Sequence, residues 1–307
     1  MKISITVKNR VTAGLLAGLL FAVSVSGTTR AANPTEESIT MTPVNIRMSI
    51  DAGTEKTSKF SIFNDGEVSY DFKVYASPYY VKDSSYTTDF ATERVNADAY
   101  KWVKFEKDSY FAEAHKVVVV NFTITAPKNA APGGHYGILF AETQAPNESE
   151  EGTSLRRNKR VGAPLFLNVN GQYSMGGVMS EINTPLLQTA PPLSSTFRVT
   201  NTGNSDFMTD TSYEIQDIFG NRKYFKKQEF VVFPETTRDF TLKWENSPTY
   251  GLYRVNTVVK FLDQEKQAST IVLIAPIWVY VMVLLAVAAT LYYLILGRKY
   301  RRTYKAR

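Results

Sequence analysis

Between residues 40 and 275, apolar and polar positions alternate with a period of two, in short runs broken by Asn, Asp, Gly and Pro. That is the pattern of half-buried strands. Lys59-Phe60-Ser61-Ile62-Phe63 alternates into Asn64-Asp65-Gly66, and residues 68–75 alternate out of it, which predicts an antiparallel pair. Residues 196–200 run into Asn201-Thr202-Gly203-Asn204 in the same way. Phe60 and Phe197, Ile62 and Val199, Asn64 and Asn201, and Gly66 and Gly203 all share one offset of 137 residues. Further on, Phe111-Ala112-Glu113 leads into a strand at 117–125, and Phe233-Pro234-Glu235 leads into one at 238–244. One plan is used twice.

The last strands set the expected boundaries. Residues 160–171 alternate and should pair with 136–143 as a closing hairpin, which makes 144–160 a long loop. A second closing hairpin is expected from 255–262 and 268–274, with Asp263-Gln264-Glu265-Lys266 as its turn. Helical periodicity is almost absent away from the two ends. The predicted fold is therefore all-β, two tandem immunoglobulin-like β-sandwiches at 32–171 and 172–275, plus one C-terminal transmembrane helix.

Both ends carry a different pattern. A basic start, MKISITVKNR, precedes an apolar run from Val11 to Val25 and the small residues near Ser26 and Ala31. This is the order of a secretory signal peptide over 1–31. At the other end, residues 277–296 are twenty uncharged, mostly apolar positions, long enough to cross a bilayer within a 276–297 segment. Trp278, Tyr280, Tyr292 and Tyr293 lie near its ends, where amphipathic rings favour the membrane interface. The tail 298–307 follows with Arg298, Lys299, Arg301 and Arg302. By the positive-inside bias these residues orient the helix, leaving the tail cytoplasmic and the strands extracytoplasmic in a single-pass cell-membrane protein.

Charge changes little once it is located. The formal net charge is +6, but the first thirty residues hold four bases and the last ten hold six, with no acid in either. What remains is 25 bases against 29 acids, so no nucleic-acid partner is expected. There is no cysteine, and His115 and His135 are the only imidazoles. His135 reads as a turn or edge residue in Ala131-Pro132-Gly133-Gly134-His135-Tyr136-Gly137, where Gly-Gly permits positive φ. His115 reads as a solvated strand end. No nucleophile motif, metal-ligand pattern or phosphate loop is present, so the chain is expected to have no catalytic residue, no metal and no cofactor, and not to be an enzyme.

Candidate chemistry lies in the aromatics. Tyr70 to Phe111 holds twelve of them in 42 residues. Tyr79, Tyr80, Tyr86 and Trp102 fall in an insertion longer than a minimal sandwich needs, and form the candidate ligand-binding set. Exposed, they would stack on sugars or anchor a protein; turned inward, they would form a sub-core over a sheet edge. The loop 144–160 sets Glu148, Glu150 and Glu151 against Arg156, Arg157 and Arg160, a mobile tip or a docking site for a partner.

Signal peptide, two sandwiches, one membrane helix and a short basic tail resemble the layout of the bacterial WxL-interacting cell-surface proteins. At residue level the likeness rests on Phe60-Ser61-Ile62 ending at Asn64-Asp65-Gly66, and on Ala126-Pro127 followed by Gly133-Gly134 and Ile138-Leu139-Phe140. The resemblance implies a first domain associated with peptidoglycan and a second with host proteins or WxL-domain partners. The expected function is a membrane-anchored surface binding protein that presents its sandwiches to cell-wall glycan or a protein ligand. The alternative is a membrane-proximal scaffold or accessory protein of a surface-assembly or secretion complex, acting through strand edges.

Overall fold

The computed structural model describes residues 38–144 and 158–305, with side chains to residue 296. The expected signal peptide over 1–31, Arg156 and Arg157 lie outside the described residues. The chain is mostly β-strand, with one apolar C-terminal helix.

In the first half the strands are β1 (Thr40–Thr42), β2 (Ile46–Ile50), β3 (Glu55–Phe63), β4 (Tyr70–Pro78), β5 (Tyr80–Val81) and β6 (Thr88–Asp89). After a 3-10 turn at Ala99–Trp102 come β7 (Val103–Phe105), β8 (Ser109–Ala112), β9 (Val117–Thr125), β10 (Gly133–Thr143) and β11 (Arg160–Val169). A four-stranded sheet in the order β1-β3-β9-β7 faces a five-stranded one in the order β2-β11-β10-β4-β8. Inward residues alternate as predicted: Phe60 and Ile62 of β3 meet Val120, Phe122 and Ile124 of β9 in one core with Phe72, Leu139 and Leu165.

The second half has β12 (Gly177–Met179), β13 (Leu187–Gln188), β14 (Leu193–Asn201), β15 (Phe207–Asp217), β16 (Arg222–Val232), β17 (Thr237–Trp244), β18 (Gly251–Phe261) and β19 (Gln264–Ile274). The sheets β12-β14-β17 and β13-β19-β18-β15-β16 enclose a separate core around Phe197, Tyr213, Phe240 and Val259. α1 (Ile277–Lys305) follows β19 after Ala275 and Pro276 alone.

Both closing hairpins form, β10 on β11 and β18 on β19. The second is tighter than its sequence implies. Leu262 takes a left-handed φ of 48°, so the turn closes at Leu262-Asp263 and the strand resumes at Gln264.

The predicted pairing across Asn64-Asp65-Gly66 does not occur. β3 pairs with β1 and β9, whereas β4 lies in the opposite sheet beside β10 and β8. The cause is the Asn64 side chain, which is buried. Its amide donates to Val68 O (2.8 Å) and Ala112 O (3.2 Å), and its Oδ1 accepts from Gly66 N (3.1 Å), carrying the chain over the sandwich edge. Asn201 does the same between β14 and β15: its amide donates to Ser205 O (2.8 Å) and Val232 O (2.9 Å), and Oδ1 accepts from Gly203 N (2.8 Å). The repeated Asn-x-Gly marks a crossover between sheets.

The same bonds correct a second alignment. Asn64 N bonds Lys116 O and Asn201 N bonds Thr236 O, while the two amides reach Ala112 O and Val232 O. Glu113 is thus the counterpart of Phe233, and His115 (φ 59°) of Glu235 (φ 56°). The Phe111 match to Phe233 is out of step by two. One end of the plan is therefore polar in the first half and apolar in the second.

Candidate functional site

β10 does not alternate; nearly all its residues are buried. Leu139 and Ala141 face the core, while Tyr136 and Phe140 face the insertion that follows β4. Phe90 packs edge-on against Phe140 at 5.5 Å and stacks with Tyr79 at 6.0 Å. A strand covered on both faces loses its period-two signature.

The insertion also closes the joint between the halves. Phe233, 2% exposed, sits among Tyr136 (4.7 Å between centroids), Tyr79 (5.5 Å), Phe166 (5.8 Å) and Tyr86 (6.0 Å). Around this apolar centre the polar groups pair across the joint. Tyr136 Oη donates to Asp206 Oδ1 and accepts from Asp206 N, both at 3.0 Å, and Arg47 Nη1 meets the other Asp206 oxygen at 2.8 Å. Burial, then the adjacent Asp206 carboxylate, pushes the Tyr136 phenol far above its ordinary value, so it stays a donor.

Tyr86 adopts a left-handed φ of 64°, a conformation costly for a bulky side chain. Its contacts offset that. Phe233 N donates to its Oη at 2.8 Å, and Thr236 Oγ1, which itself donates to Phe233 O, lies 2.8 Å away. The Arg238 guanidinium covers the ring at 4.1 Å. Asp239 N donates to Ser84 O at 2.7 Å, and Ser84 Oγ bonds the Asp239 carboxylate.

The Gly133-Gly134 pair belongs to the same joint. Gly133 has φ +121°, and a Cβ there would stand 2.6 Å from Asn204 O; a Cβ on Gly134 would stand 2.0 Å from Tyr136 Oη. Gly134 N donates to Asn204 O at 2.9 Å, and the Asn204 amide donates to Pro132 O at 3.0 Å. The glycines let two backbones approach.

The four candidate ligand residues are thus not one exposed platform. Tyr79 and Tyr86 pack in the joint, and Trp102 is buried in the core with its ring 4.6 Å from His135. Tyr80 is half-buried under the Arg94 guanidinium at 4.5 Å. Arg160 lies over Phe140 at 4.4 Å, with Nη1 3.3 Å from Tyr75 Oη. Arg298, Lys299, Arg301 and Arg302 fall on the last turns of α1.

His135 is not an edge residue. It is buried, with Nδ1 2.7 Å from Asp98 Oδ1 and Nε2 2.8 Å from Ala131 O. A carboxylate and a carbonyl both accept, so the two bonds together require the imidazolium. Burial opposes the charge, but Asp98 and Ala131 outweigh it and raise the pKa above its ordinary 6.5. The stabilisation is complete below about 6.5, the unfolded value, and is lost as pH rises through the higher folded value. Denaturant unfolding between about pH 5 and 8 should show the wild type losing stability relative to His135→Phe as pH rises. A constant difference would contradict the pairing.

Beside the joint, Arg47, Met48, Phe166, Asn168, Tyr173, Met175 and Asp206 line a cleft open to solvent. Asn168 Oδ1 is buried there without a hydrogen-bond partner, while Tyr173 and Met175 are exposed. One wall is the edge strand β2, held to β11 on one side only. Ile50 O accepts from Asn170 N, so by alternation Arg47 and Ser49 turn their main-chain groups away from β11. Sequence reasoning missed this cleft. Its residues come from β2, β11, the 170–176 connection and the 202–206 loop, and no local pattern unites them. Among the described residues no group of three His, Asp or Glu comes together as a metal site.

No protein-family model matches the chain, and no curated protein matches it in sequence. Among solved structures it is similar to the class 5 fimbriae chaperone CfaA, at 13% identity and a TM-score of 0.40, over 78% of this chain and 100% of that one. The Acinetobacter baumannii CsuC–CsuE chaperone–tip adhesion subunit complex is similar at 9% identity and a TM-score of 0.39, over 76% and 98% of the two chains. The Pseudomonas aeruginosa CupB2 chaperone is similar at 10% and 0.38, over 76% and 100%. None of these likenesses bears on what the chain does.

Proposed function

We propose that the chain is a single-pass, membrane-anchored surface protein of two tandem immunoglobulin-like sandwiches, divided near residue 171. In this reading it acts as a membrane-proximal scaffold that holds an extended segment of a protein partner in the cleft beside the joint. The edge strand β2 carries the proposal, because it lines the cleft and is paired to β11 on one side only. The outward main chain of Arg47 offers strand-like bonds, while Ser49 O is held by Lys56 Nζ at 3.1 Å, and Tyr173 and Met175 offer contact area. Clefts where two domains meet are common binding sites.

The inward turn of the aromatic insertion weighs against the glycan reading, since Tyr79, Tyr86 and Trp102 are already in use. The apolar stretch of α1, Ile277–Leu296, has a mean hydropathy of 2.4 and none of it is buried against the protein, which supports the anchor. The layout resembling that of WxL-interacting surface proteins fits this reading, and we take the chain as a distant relation of that kind.

The test is site-specific photo-cross-linking of the full-length protein in cells. A photoreactive residue at Met175 should give one discrete protein adduct, and one at Lys260 should not. Adducts at neither position, with the protein retained on sacculi through the same cleft, would return the function to glycan binding.

A further inference from the structure

The second half has two unlike ends. The loops 202–206 and 233–236 lie at the end that meets the first half. The loops 218–221 and 245–250 lie at the other, because β15 and β17 end there and β18 begins there. β19 also ends there and passes into α1. At this end Ile218 is 63% exposed, Phe219 81% and Tyr250 74%. Leu187 and Leu252 flank Leu273 in register, adding an exposed apolar row across three strands. In the first half, the loops that follow β4 at the corresponding end are packed against the second half. Among the described residues, none covers the counterparts here.

The helix is fastened to the same end. Tyr280 Oη lies 3.0 Å from Gln188 O and 2.9 Å from Leu273 O, and Ala275 N donates to Gln188 O at 2.9 Å. With two residues between strand and helix, and a first turn tied to two strands, the sheet end is held at the point where α1 enters the membrane. Apolar tips held there meet lipid headgroups before they meet any protein.

We propose that the second half rests directly on the bilayer, with Ile218, Phe219 and Tyr250 inserted in the headgroup layer as a second, interfacial attachment beside α1. This rests on the reading above that α1 crosses a membrane. Inserted tips turn a single tether into a footing and set the height of the cleft above the membrane.

The chain contains no cysteine, so single nitroxide labels can be placed without background. Full-length Phe219→Cys, Tyr250→Cys, Asp263→Cys and Leu285→Cys would be labelled and reconstituted in vesicles of phosphatidylethanolamine and phosphatidylglycerol. Collisions with oxygen and with a water-soluble nickel chelate would then be compared. Labels at 219 and 250 should show several-fold lower nickel accessibility than the label at 263, and shallower depth than the label at 285. If 285 lies in hydrocarbon while 219 and 250 are as open to nickel as 263, the interfacial footing is overturned and the anchor stands. If 285 is itself open to nickel, both fall.

Discussion

Phe233→Ala is expected to destabilise the protein by about 3–5 kcal/mol and to uncouple the two halves. The ring is almost wholly buried between four aromatic neighbours drawn from β10, β11 and the insertion, and two of these, Tyr136 and Tyr86, cannot follow a shrinking side chain without leaving their own hydrogen bonds. Tyr136 is tied to Asp206, and Tyr86 to Phe233 N and Thr236. The cavity therefore stays open, which keeps the cost within the usual range for aromatic truncation. Each half keeps its own core, so urea unfolding should change from one transition to two. A single transition shifted by less than about 1 kcal/mol would show that the joint is not stabilised by this ring.

Asn201→Ala is expected to cost about 3 kcal/mol or more. One side chain satisfies Ser205 O, Val232 O and Gly203 N in a place that water does not reach, and truncation leaves all three without a partner. Asn64→Ala should behave alike, because Val68 O, Ala112 O and Gly66 N are held in the same manner. Asp in either place keeps the shape but replaces the amide donors with acceptors facing carbonyls, so it should not rescue. Thermal unfolding of the four variants checks this. Tolerance of Ala at 201 together with loss at 64 would break the equivalence of the two crossovers.

The strands and their inward residues were legible in the chain because period-two alternation is a local signal, and the Asn-x-Gly repeat was legible because its spacing is constant. Its meaning was not. Whether strands flanking a turn pair or part depends on where the Asn amide finds its acceptors, and Ala112 and Val232 are distant in sequence. The aromatic excess between Tyr70 and Phe111 was also plain, but its direction depended on a surface supplied by the other half. Glu113 opposite Phe233 is the sequence trace of that surface: equivalent places in the repeat, one solvated and one apolar. It could be read only once the hydrogen bonds had set the alignment. His135 was hidden for the same reason, since Asp98 is brought to it by the insertion.

In the proposed reading the aromatic insertion locks the two halves into one rigid body, which α1 holds at the membrane and which presents the cleft. The most direct test is the distance between nitroxides on full-length Lys59→Cys/Lys260→Cys, one label on each half, measured by pulsed electron resonance. A single narrow distribution that broadens in the Phe233→Ala background is the expected result. A distribution already broad in the otherwise unaltered protein, and unchanged by Phe233→Ala, would contradict the account.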